Sequence, residues 1–301
     1  MADPDIMTDH PFIRRVLRWG LYPFSWFIIA VFFAAMMQDR IPPEAAWGST
    51  TLIFLLGYLA LETVFPYQGR WKMTWQSFWS DMKYLVVNGA SIAIVNAGLA
   101  YISITLIADS AGAAAALPIV VQIIMMLLIF EAVHYTIHRS MHMERTRLNK
   151  WLWTVHAPHH LPDKLYILMH VVGHPINQII LQSIVIVLPI WAFGYSPEAV
   201  AGFVMINAMH GLISHFNVDV RMGWMNYIFV GTELHRYHHS SDLRDAKNFG
   251  ATLSIFDQMF GTFVYKPAVP PAHLGAEDST LYPEYGNIFS ILRMPFDRKR
   301  I

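Results

Sequence analysis

The chain has 301 residues, of which 55% are hydrophobic and 14% are charged, and its formal net charge at pH 7 is zero. Such an apolar chain is typical of an integral membrane protein, and a chain without a basic excess is not expected to bind nucleic acid. The sequence contains no cysteine, which excludes disulfides, iron–sulfur ligation and zinc sites built on thiolates.

Six apolar stretches approach the roughly 20 residues that a helix needs to cross a membrane. They cover residues 16–37, 47–66, 84–108, 113–133, 176–195 and 197–214. Polar amides interrupt the last two, which makes a re-entrant hairpin the alternative to two separate spans. The sequence therefore predicts an all-α fold: a polytopic membrane helical bundle of four to six membrane helices, forming one integral membrane domain over residues 1–301.

The basic residues predict the orientation of this bundle. Of the 21 lysines and arginines, Arg40 alone falls in a loop on one side of the predicted membrane, and all the others fall on the opposite side. Because cytoplasmic loops carry the positive excess, both termini are predicted to be cytoplasmic. The membrane itself is predicted to be a bacterial inner membrane or the endoplasmic reticulum.

Most of the fifteen histidines lie in two polar clusters, both on the predicted cytoplasmic side. The first cluster has three histidines at intervals of four residues and then the box HAPHH; the second has two single histidines and then the box HRYHH. Intervals of three and four residues place imidazole rings on one helix face. The clustered residues are His134, His138, His142, His156, His159, His160, His210, His215, His235, His238 and His239.

Eleven imidazoles exceed what one metal ion can bind, so the clusters predict a histidine-rich cap that holds two metal ions. A zinc protease would need HExxH, and a carboxylate-bridged di-iron site would need paired Glu-x-x-His motifs, of which only Glu131 with His134 fits. Nitrogen-rich iron sites with open positions for dioxygen use this inventory best. A membrane electron carrier with bis-histidine haem is the alternative of another class. A metal transporter is disfavoured, because its ligands would lie at mid-membrane.

Several motifs between residues 131 and 265 occur in a characteristic order. They are HRxxH at 138–142, LWxxHxxHH at 152–160, His174 with Pro175, the single His215, HRxHH at 235–239 and NFGATLSIFDQMFGTF at 248–263. In this order they resemble the sterol desaturase and fatty acid hydroxylase superfamily of membrane di-iron enzymes. The resemblance implies that residues 131–265 form the catalytic region.

The resemblance also implies the metal ligands, with no catalytic residue beyond the metal centre. The implied ligands are His138, His142, His156, His159, His160, His215, His235, His238 and His239. Candidates for a further ligand, or for a hydrogen-bond partner of a ligand, are His134, His174, His210, Glu131 and Asp257. The carboxylates among them would accept the second N–H of a ligating ring.

The implied activity is that of an iron-dependent oxidoreductase with two non-haem iron ions and dioxygen as co-substrate. It would hydroxylate an unactivated C–H bond of a membrane lipid, such as an acyl chain or a sterol; desaturation at the same site is the alternative. Electrons are expected from an external ferredoxin or cytochrome b5-type donor, since the sequence has no Rossmann glycine fingerprint and no cysteine cluster.

Overall fold

The computed structural model describes residues 10–106, 112–183, 192–267 and 269–297. In these ranges the chain is helical, and its only β structure consists of two isolated bridges, which confirms the all-α prediction. The α-helices are α1 (Pro11–Met37), α2 (Pro43–Val64), α3 (Trp75–Leu106), α4 (Ile119–Met141), α5 (Arg147–His160), α6 (Pro175–Ile180), α7 (Pro197–Ser214), α8 (Thr232–His238), α9 (Ile255–Met259) and α10 (Ile288–Arg293).

Three of the described helices are long and apolar enough to cross a membrane: α1, α2 and α4, with 27, 22 and 23 residues. Each presents large apolar side chains outward, among them Phe27 on α1, Leu56 on α2 and Ile124 on α4. An outward apolar face of this kind suits hydrocarbon rather than water as the surrounding solvent. The prediction of a membrane helical bundle is confirmed at this level.

Helix α7 is the centre of the bundle and packs against α1, α2 and α4. Most of its side chains are buried, which explains why its sequence is apolar on nearly every face. It coincides with the predicted stretch 197–214, whereas residues 184–191 of the stretch 176–195 lie outside the described residues. Residues 84–106 of the stretch 84–108 lie in the longer helix α3, and residues 107 and 108 lie outside the described residues.

Helix α4 begins later and ends later than its apolar stretch suggested. Residues Ala113–Ala116 form a 3-10 turn, and Pro118 is the N-cap of the helix. A proline lacks the backbone N–H that an interior helical position would use, so it suits this position. The helix then continues to Met141, beyond the apolar stretch, and thereby carries His134 and His138 on one continuous helix with His142 as its C-cap.

The remaining short helices form a cap over one end of the bundle, with a core of its own. This core is rich in aromatic side chains, including the buried Trp71, Tyr84 and Tyr166. The Tyr166 hydroxyl donates a hydrogen bond of 2.6 Å to Asp81 at the start of α3. The cap is therefore anchored to the bundle through packed aromatic rings and a buried hydrogen bond.

Contacts between distant segments show which helix ends lie beside the cap. Arg18 near the start of α1 forms a 2.7 Å ion pair with Asp219, which follows α7. The backbone N–H of Tyr67, just after α2, donates to the carbonyl of Asn217 at 2.8 Å. The start of α1 and the ends of α2 and α7 therefore lie at the same end of the molecule, as the predicted topology requires.

Candidate metal centre

Helix α4 supplies the first set of histidines. His134 and His138 lie one helical turn apart with ring centroids 5.0 Å apart, and His142 is the C-cap, 5.2 Å from His138. The prediction of three rings on one stripe of a helix is confirmed, although the third ring stands at the helix end. This end of α4 is where the apolar bundle meets the cap.

The HxxHH boxes lie on two short cap helices. HAPHH forms the last turn of α5, a helix that begins at the N-cap Thr146, whose hydroxyl accepts from the backbone N–H of Asn149. HRYHH lies on α8, with His239 as its C-cap. In each box the first and last rings are four residues apart and so lie on the same helix face.

Nine rings assemble into two adjoining groups. Within each group, one nitrogen of every ring lies within 4.8 Å of the others. The five-histidine group consists of His138, His142, His156, His160 and His238. The four-histidine group consists of His159, His215, His235 and His239. These nine residues are the same nine that the superfamily motifs implied.

Each box contributes to both groups. In HAPHH, His156 and His160 belong to the five-histidine group, and the ring between them, His159, crosses to the other group. HRYHH does the reverse, because only its middle ring, His238, belongs to the five-histidine group. Two boxes with the same spacing therefore lock the two groups together, and the rings of His160 and His239 stack across the boundary at 4.5 Å.

The nitrogens inside each group stand close together. The Nε2 atom of His156 lies 3.0 Å from that of His138 and 3.1 Å from that of His160. In the other group, the Nε2 atom of His215 lies 3.2 Å from that of His159 and 3.1 Å from that of His235. An imidazole nitrogen binds a first-row metal ion at about 2.1 Å, so two nitrogens at right angles around one ion stand about 3.0 Å apart.

The tautomers of these rings leave lone pairs facing one another. His159 donates from Nδ1 to the carbonyl of Val172 at 2.8 Å, and the Nδ1 of His215 lies 3.3 Å from the carbonyl of Gly211. A neutral ring with its proton on Nδ1 has a bare lone pair on Nε2. The Nε2 atoms of His159 and His215 therefore present two lone pairs to each other, an arrangement that a cation between them stabilises.

Burial keeps these rings neutral. Removal from water lowers the pKa of His159 to about 4 and that of His142 to about 3. For His156 and His160, burial first and then the charge of neighbouring rings lower the pKa well below its usual value. Neutral imidazole is the metal-binding form, and the buried Nε2 atoms of His142 and His238 have no partner among the described residues. The donor set therefore fits two metal ions.

Backbone carbonyls, rather than carboxylates, accept hydrogen bonds from several rings of the two groups. His138 donates from Nδ1 to the carbonyl of Phe249 at 2.8 Å, and His238 donates to that of Lys247 at 3.0 Å. His156 donates to the side-chain oxygen of Asn177 at 3.3 Å. Such partners set the tautomer and the angle of a ligand. No sequence pattern marks Asn177 as such a partner, because in the sequence it is only one of the polar amides that interrupt an apolar stretch.

Glu131 and Asp257 do not accept a hydrogen bond from any ring in the described chain, which corrects the role predicted for them. Glu131 instead accepts from the backbone N–H groups of residues 251–253 at 2.7 to 2.8 Å. Asp257 accepts from those of Phe249 and Gly250 at 2.8 and 2.9 Å. Together the two carboxylates hold the loop whose carbonyl receives the His138 ring N–H.

The other candidate histidines occupy different places. His174 caps α6, and its Nε2 lies 3.3 Å from the carbonyl of Leu292. His210 donates to the carbonyl of Val230 at 2.7 Å and packs between aromatic rings of the core. His134 and His170 line the cavity beside the nine rings, and the Nδ1 of His170 is 3.3 Å from that of His215. None of these four belongs to either group.

A cavity of about 340 Å³ opens beside both groups. It is bounded by His138 and His156 of the five-histidine group and by His159, His215 and His235 of the four-histidine group. Side chains from the bundle complete it, including Ile92, Phe130 and Leu181. The cavity gives a substrate simultaneous access to both groups from the side of the apolar helices.

Comparison with known proteins agrees with this geometry. Residues 123–262 match the family model described as fatty acid hydroxylase. This segment is a fatty acid hydroxylase domain. It contains all nine rings of the two groups, together with the loop and the carboxylates that orient them. The superfamily inferred from the motifs is thereby confirmed.

The hydroxylase domain has a relative among curated proteins. The chain is 26% identical over 263 residues to the ornithine lipid hydroxylase OlsE of Rhizobium tropici. That alignment covers 84% of this chain and 76% of OlsE. No solved structure matches the chain. The comparisons thus support an enzyme of the lipid hydroxylase type.

Proposed function

We propose that the protein is a dioxygen-dependent hydroxylase that inserts oxygen into a C–H bond of a membrane lipid at two non-haem iron ions. The observation that carries this proposal is the pair of adjoining histidine groups that share one cavity. Neutral imidazole donors without thiolates suit non-haem iron that must keep a coordination position free for dioxygen. When bound, the iron ions would supply the activation of dioxygen and the removal of hydrogen from carbon.

The residues of the chain have three tasks in this reaction. The nine rings hold the ions as neutral nitrogen donors, and the carbonyls of Lys247, Phe249 and Val172 fix the direction of their lone pairs. Burial of the two groups excludes bulk water, which protects a strongly oxidising site from side reactions. The cavity would hold the reacting carbon of the substrate next to both groups.

A lipid is the proposed substrate because the cavity opens among apolar helices and because the relative OlsE is named for a lipid. Electrons would come from a separate ferredoxin or cytochrome b5-type protein, since the sequence offers no nucleotide-binding fingerprint and no cysteine for a cluster. The basic residues near the cap would face that donor in the cytoplasm.

The proposal is tested by deleting the gene and comparing lipid extracts by mass spectrometry, with labelled dioxygen supplied to the parent strain. We expect a lipid to disappear that is one oxygen atom heavier than its precursor, with the label entering from dioxygen and not from water. A missing lipid that differs by two hydrogens would instead show a desaturase at the same metal centre. Unchanged lipid, sterol and carotenoid pools in the presence of an electron donor would refute the proposal that the protein is a lipid-oxidising enzyme.

Metal analysis and an optical spectrum of the purified protein test the metal assignment separately. We expect about two iron ions per chain and no haem absorption. A Soret band without non-haem iron would establish the bis-histidine haem carrier as the correct interpretation.

The proposed orientation has its own test. Reporter fusions after Lys164, after Arg244 and at the C-terminus should all report a cytoplasmic location, because the basic residues concentrate on that side. A reporter signal from the other side of the membrane at any of the three would contradict the orientation.

A further inference from the structure

The cavity beside the metal centre contains a cluster of side-chain amides that the metal ions do not use. Four carboxamides line it, from Asn177, Gln178, Gln182 and Asn207. The side-chain oxygen of Asn177 accepts a hydrogen bond from His156. Among the described residues, the other three amides form no hydrogen bond with a histidine of the two groups. In the described part of the chain, the cavity wall contains no lysine, arginine, aspartate or glutamate. The wall is therefore polar and uncharged.

At least one of these amides is not satisfied by the described residues. The buried Nδ2 atom of Asn207 has no hydrogen-bond partner among the described residues. A buried amide without a partner destabilises the protein, so apolar side chains would suit a cavity that receives only hydrocarbon. Gln178 and Gln182 stand four residues apart, at the spacing that places two side chains on the same face of a helix. The arrangement is what a hydrogen-bonding ligand requires.

The size and charge of the cavity restrict that ligand. A volume of about 340 Å³ lies at the lower end of the range for small-molecule sites, which suits a short polar segment rather than a complete acyl chain. The described lining contains no lysine or arginine that could pair with a phosphate or a free carboxylate, whereas its amides suit an uncharged hydrogen-bond acceptor. A carbonyl that accepts from amide N–H groups, with an N–H or an ether oxygen next to it, matches the lining.

We propose that the amides of Gln178, Gln182 and Asn207 hold an uncharged amide or ester linkage of the lipid substrate next to the metal centre. The oxidised C–H bond then lies within a few bonds of that linkage, and the rest of the acyl chain extends between the apolar helices. This inference rests on the proposed lipid hydroxylase and specifies which part of the lipid reacts. It replaces the simpler expectation that a hydrocarbon tail alone reaches the metal ions.

A binding experiment tests the inference without turnover. The iron-loaded full-length protein in lipid nanodiscs, without reductant, is titrated with N-palmitoylglycinamide and with hexadecyl methyl ether, which lacks the carbonyl and the N–H. We expect tighter binding of the amide lipid. In Gln178→Leu and Gln182→Leu, binding of the amide lipid should weaken roughly 3- to 10-fold, as expected for a lost hydrogen bond, while binding of the ether stays unchanged.

Leu181→Met is the matched control, because Leu181 lines the same cavity between the two glutamines but has no polar group. It should change the affinity for both probes by the same small factor. Unchanged ether binding in the glutamine variants shows that they are folded. Equal affinity of the parent protein for the two probes, or an equal loss of both in the glutamine variants, would overturn the inference.

The position of the inserted oxygen separates this inference from the function on which it rests. With a donor system present, tandem mass spectrometry of the product of N-palmitoylglycinamide should place the oxygen near the amide. Oxygen at mid-chain would refute the inference and leave the hydroxylase intact. Selective, glutamine-dependent binding without any oxygen insertion would support the inference and refute the proposed reaction.

Discussion

The two histidine groups differ in how firmly the protein supports them. In the five-histidine group, His138, His156 and His238 each donate from Nδ1 to a fixed oxygen. In the four-histidine group, the Nδ1 atoms of His235 and His239 have no partner among the described residues. The first group also has one ring more. It is therefore the more saturated and the better oriented of the two.

The groups also differ in exposure to the cavity. Three of the four rings in the four-histidine group line it, namely His159, His215 and His235, against two of the five rings in the other group. Fewer protein ligands leave more coordination positions for exogenous ligands. Under the proposed function, the two groups would divide the work: the five-histidine group would serve mainly to retain its ion, and the four-histidine group would face the reaction space.

The largest expected effect comes from the middle rings of the two boxes, each of which belongs to a different group from the other two rings of its box. His159→Ala removes a ligand from the four-histidine group, and His238→Ala removes one from the five-histidine group. We expect each change to reduce lipid hydroxylation by roughly 100-fold or more, since both ions are needed and even residues behind metal ligands matter by 10- to 100-fold. Activity is measured by product formation in membranes with equal amounts of protein.

His273→Ala is the control for these variants, because His273 is exposed and belongs to neither group. It should leave activity unchanged. If His159→Ala or His238→Ala retained near-parental activity, the corresponding group would not be part of the catalytic centre.

A second prediction concerns the order of metal loss. Because the four-histidine group has fewer ligands and weaker support, a chelator should remove its ion first. We expect about one iron ion per chain to remain at intermediate chelator concentrations and about one in His215→Ala. Iron is quantified after gel filtration. Simultaneous loss of both ions would show that the two groups bind metal as one unit.

A third prediction isolates the support of the five-histidine group. Glu131→Gln replaces a carboxylate that accepts three backbone N–H groups with an amide that must point an N–H at one of them. We expect a loss of stability of about 1 to 3 kcal/mol and a disturbed His138, because its partner Phe249 lies on the loop that Glu131 anchors. Thermal unfolding and iron content provide the measurement.

Glu144→Gln, at an exposed position in the turn after α4, is the matched control and should change neither quantity. An intact five-histidine site in Glu131→Gln would show that the His138 ring is positioned without the loop that Glu131 anchors.

The smallest effect is the pH dependence of the metal-free protein. Burial lowers the pKa of His159 from 6.5 to about 4 and that of His142 from 6.5 to about 3. Between these values and 6.5 the unfolded chain binds more protons than the folded one, so stability falls as pH decreases through this window. We expect a lower Tm at about pH 5 than at about pH 7. A Tm that rises on acidification over this interval would contradict neutral buried rings.

Much of this protein follows from sequence patterns alone. Apolar stretches of membrane length predicted α1, α2 and α4 because their lipid-facing surfaces are apolar over many turns. The spacings of HAPHH and HRYHH predicted that the rings of each box share a helix face, and the resemblance to the superfamily implied the nine residues that form the two groups. The apolar stretch 113–133 includes the 3-10 turn before α4 as well as the helix, so apolarity alone does not mark where this helix begins.

Only the tertiary structure decided how the rings divide. The middle ring of each box crosses to the other group because α5 and α8 meet the ends of α4 and α7 at one place, and no local pattern specifies that meeting. The tertiary structure also assigned Glu131 and Asp257 to a loop rather than to rings, and brought the amides of α6 and α7 to the cavity. Spacing along a helix determines which side chains share a face, whereas their partners depend on contacts between segments far apart in the chain.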